Sequence, residues 1–174
     1  LPVKDVPMIA MITRLVSHKG LELVKTVAED ILHEDVQFVL LGTGDTAYEN
    51  YFRGLGNRYE GKASINIAFN GDLSRKIYSG ADIFLMPSKS EPCGLSQMIA
   101  SRYGAVPVVR LAGGLSDTIH EPDNGFTFYA YNGSEMLRSI ERALASFENK
   151  DEWLSLVKRV MKTDFTWANS AKKY

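Results

Sequence analysis

Two short polar stretches carry the residues best suited to chemistry. Residues 13–20 hold Arg14, His18 and Lys19 directly after an apolar run. The second stretch is Pro87-Ser88-Lys89-Ser90-Glu91-Pro92-Cys93-Gly94-Leu95-Ser96-Gln97, which follows the apolar run 82–86. Two cations fixed in one loop suit a diphosphate, and they can stabilise a departing nucleoside diphosphate as its charge grows. An ionised Glu91 only accepts hydrogen bonds, which suits sugar hydroxyls. It stands too early in its loop to cap the helix that follows, so it needs another partner. The amides of Leu95 and Ser96, at a helix start, can hold a phosphate without a further basic group. Taken singly, each residue has a plainer reading: an arbitrary surface Arg or Lys is solvated, and a lone carboxylate rides on its loop.

Other candidates carry less. Cys93 has no histidine near it in sequence to act as a base, and a thiol beside Gly94 fits there by its small size. Residues 42–47 (Gly-Thr-Gly-Asp-Thr-Ala) loosely match the dinucleotide fingerprint. They follow the second strand rather than the first, and no acidic residue lies near Lys62, about 20 residues on. Gly42 and Gly44 therefore read as a turn that allows close backbone approach to a ligand. Phe69, beside the Asn70-Gly71 turn, can stack on a nucleobase, although core packing is the default for Phe. Gly113-Gly114 reads as a tight turn. His18, His33 and His120 are scattered without zinc-ligand spacing, so no metal site is expected.

The elements that must position these residues follow from periodicity. Continuous apolar runs at 6–12, 36–41 and 82–86 read as buried strands. Ile65, Ile67 and Phe69 mark a third strand, ending at Phe69. Residues 105–109 make a fifth strand, although Pro107 does not suit a central position. Residues 126–128 make a short sixth. Helical spacing appears at 21–33, 47–59, 73–79 (with Asp72 as its cap) and from 98 to 103. The tail is helical, with Met136, Leu137, Ile140, Leu144 and Phe147 on one face, then Trp153, Leu156, Val157 and Val160. A last segment starts at 164 and stops abruptly at Tyr174. Alternating strands and helices predict an α/β, Rossmann-like, doubly wound parallel sheet of about six strands with helices on both faces. In the common order 3-2-1-4-5-6, strands one and four are neighbours. Arg14 and Lys19 would then meet Glu91 and Gly94 at the switch-point crevice.

Composition narrows the classes. The chain has 174 residues, 24% of them charged, and a net charge of -1, which fits one soluble globular domain. There is no basic block and no aromatic–basic repeat, so nucleic acid is not an expected partner. No apolar run approaches the roughly 20 residues of a membrane span. The single Cys93 forms no internal disulfide, consistent with a reducing compartment.

Taken in order, six stretches resemble one family. They are Thr13-Arg14-Leu15-Val16-Ser17-His18-Lys19-Gly20-Leu21, Leu41-Gly42-Thr43-Gly44-Asp45, Gly80-Ala81-Asp82, the Pro87–Gln97 stretch above, Gly113-Gly114-Leu115-Ser116-Asp117-Thr118-Ile119, and Asp164-Phe165-Thr166-Trp167. Together they resemble the carboxyl-terminal half of glycogen and starch synthases, retaining glucosyltransferases of the GT-B fold. Glu-Pro-Cys-Gly-Leu at this distance from Gly-Gly-Leu is specific; the Gly-x-Gly turn is not. Ile99 stands where many related GT-B enzymes carry a second Glu, which favours the glycogen and starch synthase branch. Ala112 replaces the Thr common before Gly-Gly and offers no hydroxyl there, while Ser96 keeps the hydroxyl of the usual Thr.

The resemblance implies transfer of glucose from ADP-glucose to the non-reducing end of an α-1,4-glucan with retention, with no cofactor. By carry-over, Arg14 and Lys19 bind the diphosphate of ADP, and Glu91 binds donor glucose. Cys93 and Gly94 line that pocket, Leu95 and Ser96 hold phosphate, and Phe69 faces adenine. The resemblance also implies a two-domain enzyme of which residues 1–174 are one nucleotide-sugar-binding domain, inactive without an amino-terminal domain. An exposed apolar surface is expected where that partner packs. A bacterial cytoplasm or a plastid would house it. The alternatives are a UDP-sugar enzyme of the same fold, a non-catalytic nucleotide-binding module, and a nicotinamide-dependent enzyme.

Overall fold

The structure is a computed structural model that describes residues 1–171. Six strands form one sheet: β1 (Met8–Ile12), β2 (Gln37–Leu41), β3 (Ala63–Asn66), β4 (Ile83–Met86), β5 (Val106–Arg110) and β6 (Phe126–Phe128). Their order is β3-β2-β1-β4-β5-β6, and every pairing is parallel. This is the expected doubly wound sheet, with its switch point between β1 and β4.

Among the described residues, eight α-helices flank or follow the strands: α1 (Leu21–His33), α2 (Thr46–Arg58), α3 (Gly71–Gly80), α4 (Ser96–Tyr103), α5 (Gly114–Thr118), α6 (Gly133–Glu148), α7 (Lys150–Lys162) and α8 (Trp167–Ala171). Strand side chains alternate between faces, which is why each central strand is apolar throughout. Ile9, Leu40, Leu85 and Val108 face a core completed by α1, α2, α6 and α7. Ala10, Leu41, Phe84 and Val109 face a second core with α3, α4 and α5. The tail segment forms α8, and the abrupt end at Tyr174 lies outside the described residues.

Four expectations are corrected. The third strand stops at Asn66, because its partner β2 ends at Leu41 in that register and the Ala68 amide turns back onto the Asn66 carbonyl. Ile67 and Phe69 therefore lie outside it. The cap of α3 is Asn70, not Asp72: its side chain accepts from the Leu73 amide at 2.9 Å. The helix after the Pro87–Gln97 stretch begins at Ser96, two residues before Met98. Pro107 does sit in a central strand. The Val106 amide donates towards β4, to the Asp82 carbonyl, so the missing amide of the next residue falls on the β6 side. There the ladder begins only at Val108 opposite Phe126, and the strand loses no bond.

Two carboxylates brace the sheet away from its carboxyl ends. Asp82 accepts from the Met8 amide at 2.9 Å, joining the start of β1 to β4, and burial pushes its pKa up. Glu121 receives Nε and Nη2 of Arg142, both at 2.9 Å, and the Thr127 amide at 2.8 Å. Burial alone would raise its pKa, but these hydrogen bonds win and hold it below the usual glutamate value. A depressed acid stabilises the fold above its unfolded pKa and loses that contribution as pH falls through the folded one. The thermal midpoint of Glu121→Gln is therefore expected below wild type by a constant gap above about pH 5.5, closing below about pH 4.5. A gap that stays constant down to about pH 3 would sink this assignment.

Candidate active site

The loop after β1 is stitched to the loop after β2. Thr13 donates its amide to the Leu41 carbonyl, Leu15 to Thr43, and Asp45 back to Leu15, at 3.1, 2.9 and 2.8 Å. A Cβ on Gly42 would lie 1.8 Å from the Thr13 carbonyl oxygen, and one on Gly44 2.2 Å from that of Leu15. The close approach these glycines allow is thus first of all by the chain itself. The β1 loop ends in a 3-10 turn, Ser17–Lys19, closed by Gly20 at φ +78°. A side chain at Gly20 would strike the Pro87 carbonyl at 2.0 Å, so glycine lets this loop lie against the loop after β4. The Lys89 amide donates to the His18 carbonyl across that contact.

The two polar stretches meet where the strand order required. Lys19 Nζ lies 2.6 Å from Glu91 Oε2, across 72 residues of sequence. Glu91 is buried, and Ser88 Oγ donates to the same oxygen at 3.1 Å. These are the partners the carboxylate lacked in sequence. Both bonds fall on Oε2, which leaves Oε1 to accept from a ligand hydroxyl. Arg14 is exposed and, among the described residues, has no ion-pair partner.

Two open cavities flank Arg14. The first, about 210 Å³, lies between the ends of β1 and β4 and is walled by Thr13, Arg14, Lys19, Ser88 and Ser96. The second, about 260 Å³, runs from Arg14 past Gly42 and Thr43 to Phe69 and Ser74. Phe69 is fully exposed rather than packed in the core. Cys93, Gly94 and Leu95 border the loop but wall neither cavity; the Cys93 thiol is exposed. Ser96 opens α4, where the first amides have no intrahelical partner, next to the cavity holding Lys19. His18 is exposed and enters the site only through its backbone carbonyl.

Sequence reasoning passed over one supporting residue, Arg110, and read Gly113-Gly114 only as a turn. Arg110, at the end of β5, donates from Nη1 to the carbonyls of Lys89 (3.1 Å) and Ser88 (3.4 Å), and from Nε to Tyr129 (3.0 Å). It holds the loop that carries Glu91. Gly113 and Gly114 sit where a Cβ would strike the carbonyls of Glu91 and Cys93, at 2.2 and 2.3 Å. Their tight turn therefore also seats the Glu91 loop. The only available signal for Arg110 was position: it ends a strand whose carboxyl end faces the crevice.

A doubly wound sheet with cations, a buried carboxylate and a helix start gathered at its switch point has the charges and free amides that suit an anionic ligand. Residues 1–155 match the family described as glycosyl transferases group 1, and the chain belongs to that family. It is 52% identical, over its whole length, to a glycogen synthase of Kosmotoga olearia, and 47% identical over 98% of its length to one of Clostridium novyi. It spans 38% and 37% of those proteins. The catalytic domain of starch synthase IV from Arabidopsis thaliana, solved bound to ADP and acarbose, superposes with a TM-score of 0.91. That match has 34% identity and covers 99% of this chain and 38% of the other. The fold is that of the carboxyl-terminal domain of GT-B glycosyltransferases.

Proposed function

We propose that this chain is the donor-binding domain of a bacterial, cytoplasmic glucan synthase that uses ADP-glucose. One observation carries the reading: Arg14, Lys19 and Ser96 wall one cavity, with Glu91 paired to Lys19, and a second cavity runs from Arg14 to an exposed Phe69. The first cavity takes the diphosphate and glucose, and the second takes the nucleoside. Identity to glycogen synthases and the ADP in the starch synthase neighbour support this choice of donor.

In the reaction, the bond from the anomeric carbon to the phosphate oxygen breaks, and its electron pair leaves with ADP. Arg14 and Lys19 meet that growing charge, with the Leu95 and Ser96 amides adding to them. Glu91 accepts from glucose hydroxyls through Oε1 and holds Lys19 in place through Oε2. Cys93 and Gly94 border the sugar, and Gly42 and Gly44 shape the nucleoside side. The acceptor hydroxyl forms the new bond on the same face, its proton passing to the released phosphate. Catalysis here is electrostatic and positional. The α-1,4-glucan acceptor is bound mainly by an amino-terminal domain, which completes the site. Exposed Leu95, Ile99 and Tyr103 follow one another along α4 at helical spacing and offer an apolar surface of the kind such a partner covers.

Calorimetric titration with ADP, UDP and NAD tests the donor. ADP is expected to bind, UDP more weakly and NAD not at all. Arg14→Ala and Phe69→Ala are each expected to weaken ADP about tenfold, the first by lost charge and the second by lost stacking. UDP or NAD binding as tightly as ADP would overturn the reading. Turnover is tested in a chimera in which this chain replaces the matching segment of the Kosmotoga olearia enzyme.

A further inference from the structure

The side chain of Gln97 is wholly buried beneath the Cys93–Gly94 turn. Its Nε2 donates to the Gly94 carbonyl at 2.9 Å and to Thr118 Oγ1 at 3.1 Å, with the Cys93 carbonyl farther off at 3.4 Å. Thr118 Oγ1 gives its own hydrogen to the Gly114 carbonyl at 2.8 Å, so towards Gln97 it can only accept. Gly114 donates its amide to the Glu91 carbonyl at 3.0 Å. These links close a ring from Glu91 through Gly114, Thr118 and Gln97 back to Gly94. Every neighbour of Nε2 in the ring is an acceptor, which assigns the orientation of the amide.

The other end of that amide is badly placed. Gln97 Oε1 is buried with no hydrogen-bond partner among the described residues. It lies 2.7 Å from where a Cβ on Gly94 would stand. A Leu or Met would fill the same volume without stranding an oxygen. Packing therefore does not account for an amide here, whereas the donors on Nε2 do.

We propose that Gln97 is a positioning residue for donor turnover. Its Nε2 clamps the Cys93–Gly94 turn to α5, and the clamp sets both the Glu91 carboxylate and the Leu95 and Ser96 amides. The inference rests on the reading of those groups as the donor site.

The test uses two variants in the chimera. Gln97→Leu removes the donors and the stranded oxygen together. Its kcat is expected to fall about 30-fold while KM for ADP-glucose rises no more than about threefold. Its thermal midpoint should equal or exceed that of wild type. Gln97→Glu sets a carboxylate against two carbonyls, so its turnover should be low at about pH 8. Relative to wild type it should recover towards about pH 6, as the protonated acid regains a donor. Hydrogen exchange at the Gly114 amide should quicken in Gln97→Leu while β1 stays protected.

A Gln97→Leu enzyme with kcat within about threefold of wild type, or one that loses kcat only in step with its thermal midpoint, makes Gln97 a packing residue and overturns the proposal. So does a Gln97→Glu profile parallel to wild type. If the wild-type chimera itself does not turn over ADP-glucose, the reading of the site fails instead. Exchange at Gly114 then judges the clamp alone, and an unchanged rate rejects it.

Discussion

Lys19→Met in the chimera is expected to lower turnover of ADP-glucose by about 10²–10³-fold, the range for removing one preorganised group that meets developing charge. The ammonium lies half-buried in the crevice wall, 2.6 Å from Glu91, so it acts twice. On the proposed reading it meets the diphosphate, and in the fold it compensates a carboxylate that is only 8% exposed. Breaking a fully buried pair by removing one partner costs about 3–5 kcal/mol. Lys19 retains some exposure, so a loss of about 2 kcal/mol is expected here. The double variant Lys19→Met/Glu91→Gln separates the two roles. Removing the stranded charge should restore most of the stability and none of the turnover. A single variant that keeps turnover within about tenfold of wild type would show that Lys19 does not meet the leaving group.

Gly42→Ala is expected to be among the most damaging small substitutions in the described residues. The new methyl would lie 1.8 Å from the Thr13 carbonyl oxygen, and both sides of that contact are backbone. The β1 loop must retreat by more than an ångström, against the Thr13–Leu41 and Leu15–Thr43 hydrogen bonds that hold it. Overpacking of this kind costs about 1–3 kcal/mol, and the rigid partner places Gly42 at the upper end. For a domain of this size that is a drop of about 6–10 °C in thermal midpoint. The same displacement carries Arg14 and Lys19 away from the crevice, and a misplacement near 1 Å can cost about 10²-fold in rate. Gly80→Ala serves as the control, because nothing lies within 4 Å of its added carbon. It should leave midpoint and turnover unchanged. Equal behaviour of the two variants would mean that the β1 loop yields freely.

The two variants address different layers of one arrangement. Lys19 supplies charge, while Gly42 supplies the room in which that charge is placed. A glycine read in sequence as space for a ligand is, in the fold, space for the neighbouring loop. The proposed site benefits because the loop that carries Arg14 and Lys19 is fixed.

The sequence by itself determined the alternation of strands and helices. Burial against a sheet writes a local signal, apolar runs for strands covered on both faces and 3.6-residue spacing for the helices that cover them. It also placed the two polar loops after β1 and β4. Any parallel sheet gathers such loops at the carboxyl ends of its strands, but the crevice between β1 and β4 followed only once a strand order was assumed. The tertiary structure decided that order, and with it which side chains pair. Lys19 finds Glu91 only because β4 lies beside β1, a pairing that no local spacing encodes. Pro107 is admitted to a central strand because the ladder on its silent side starts one residue later. Asn70 rather than Asp72 caps α3, and Phe69 is exposed, because β3 runs out of partner at Leu41. The ring through Gln97, Thr118 and Gly114 was equally invisible, since hydrogen bonds between loops depend on distances that only packing sets.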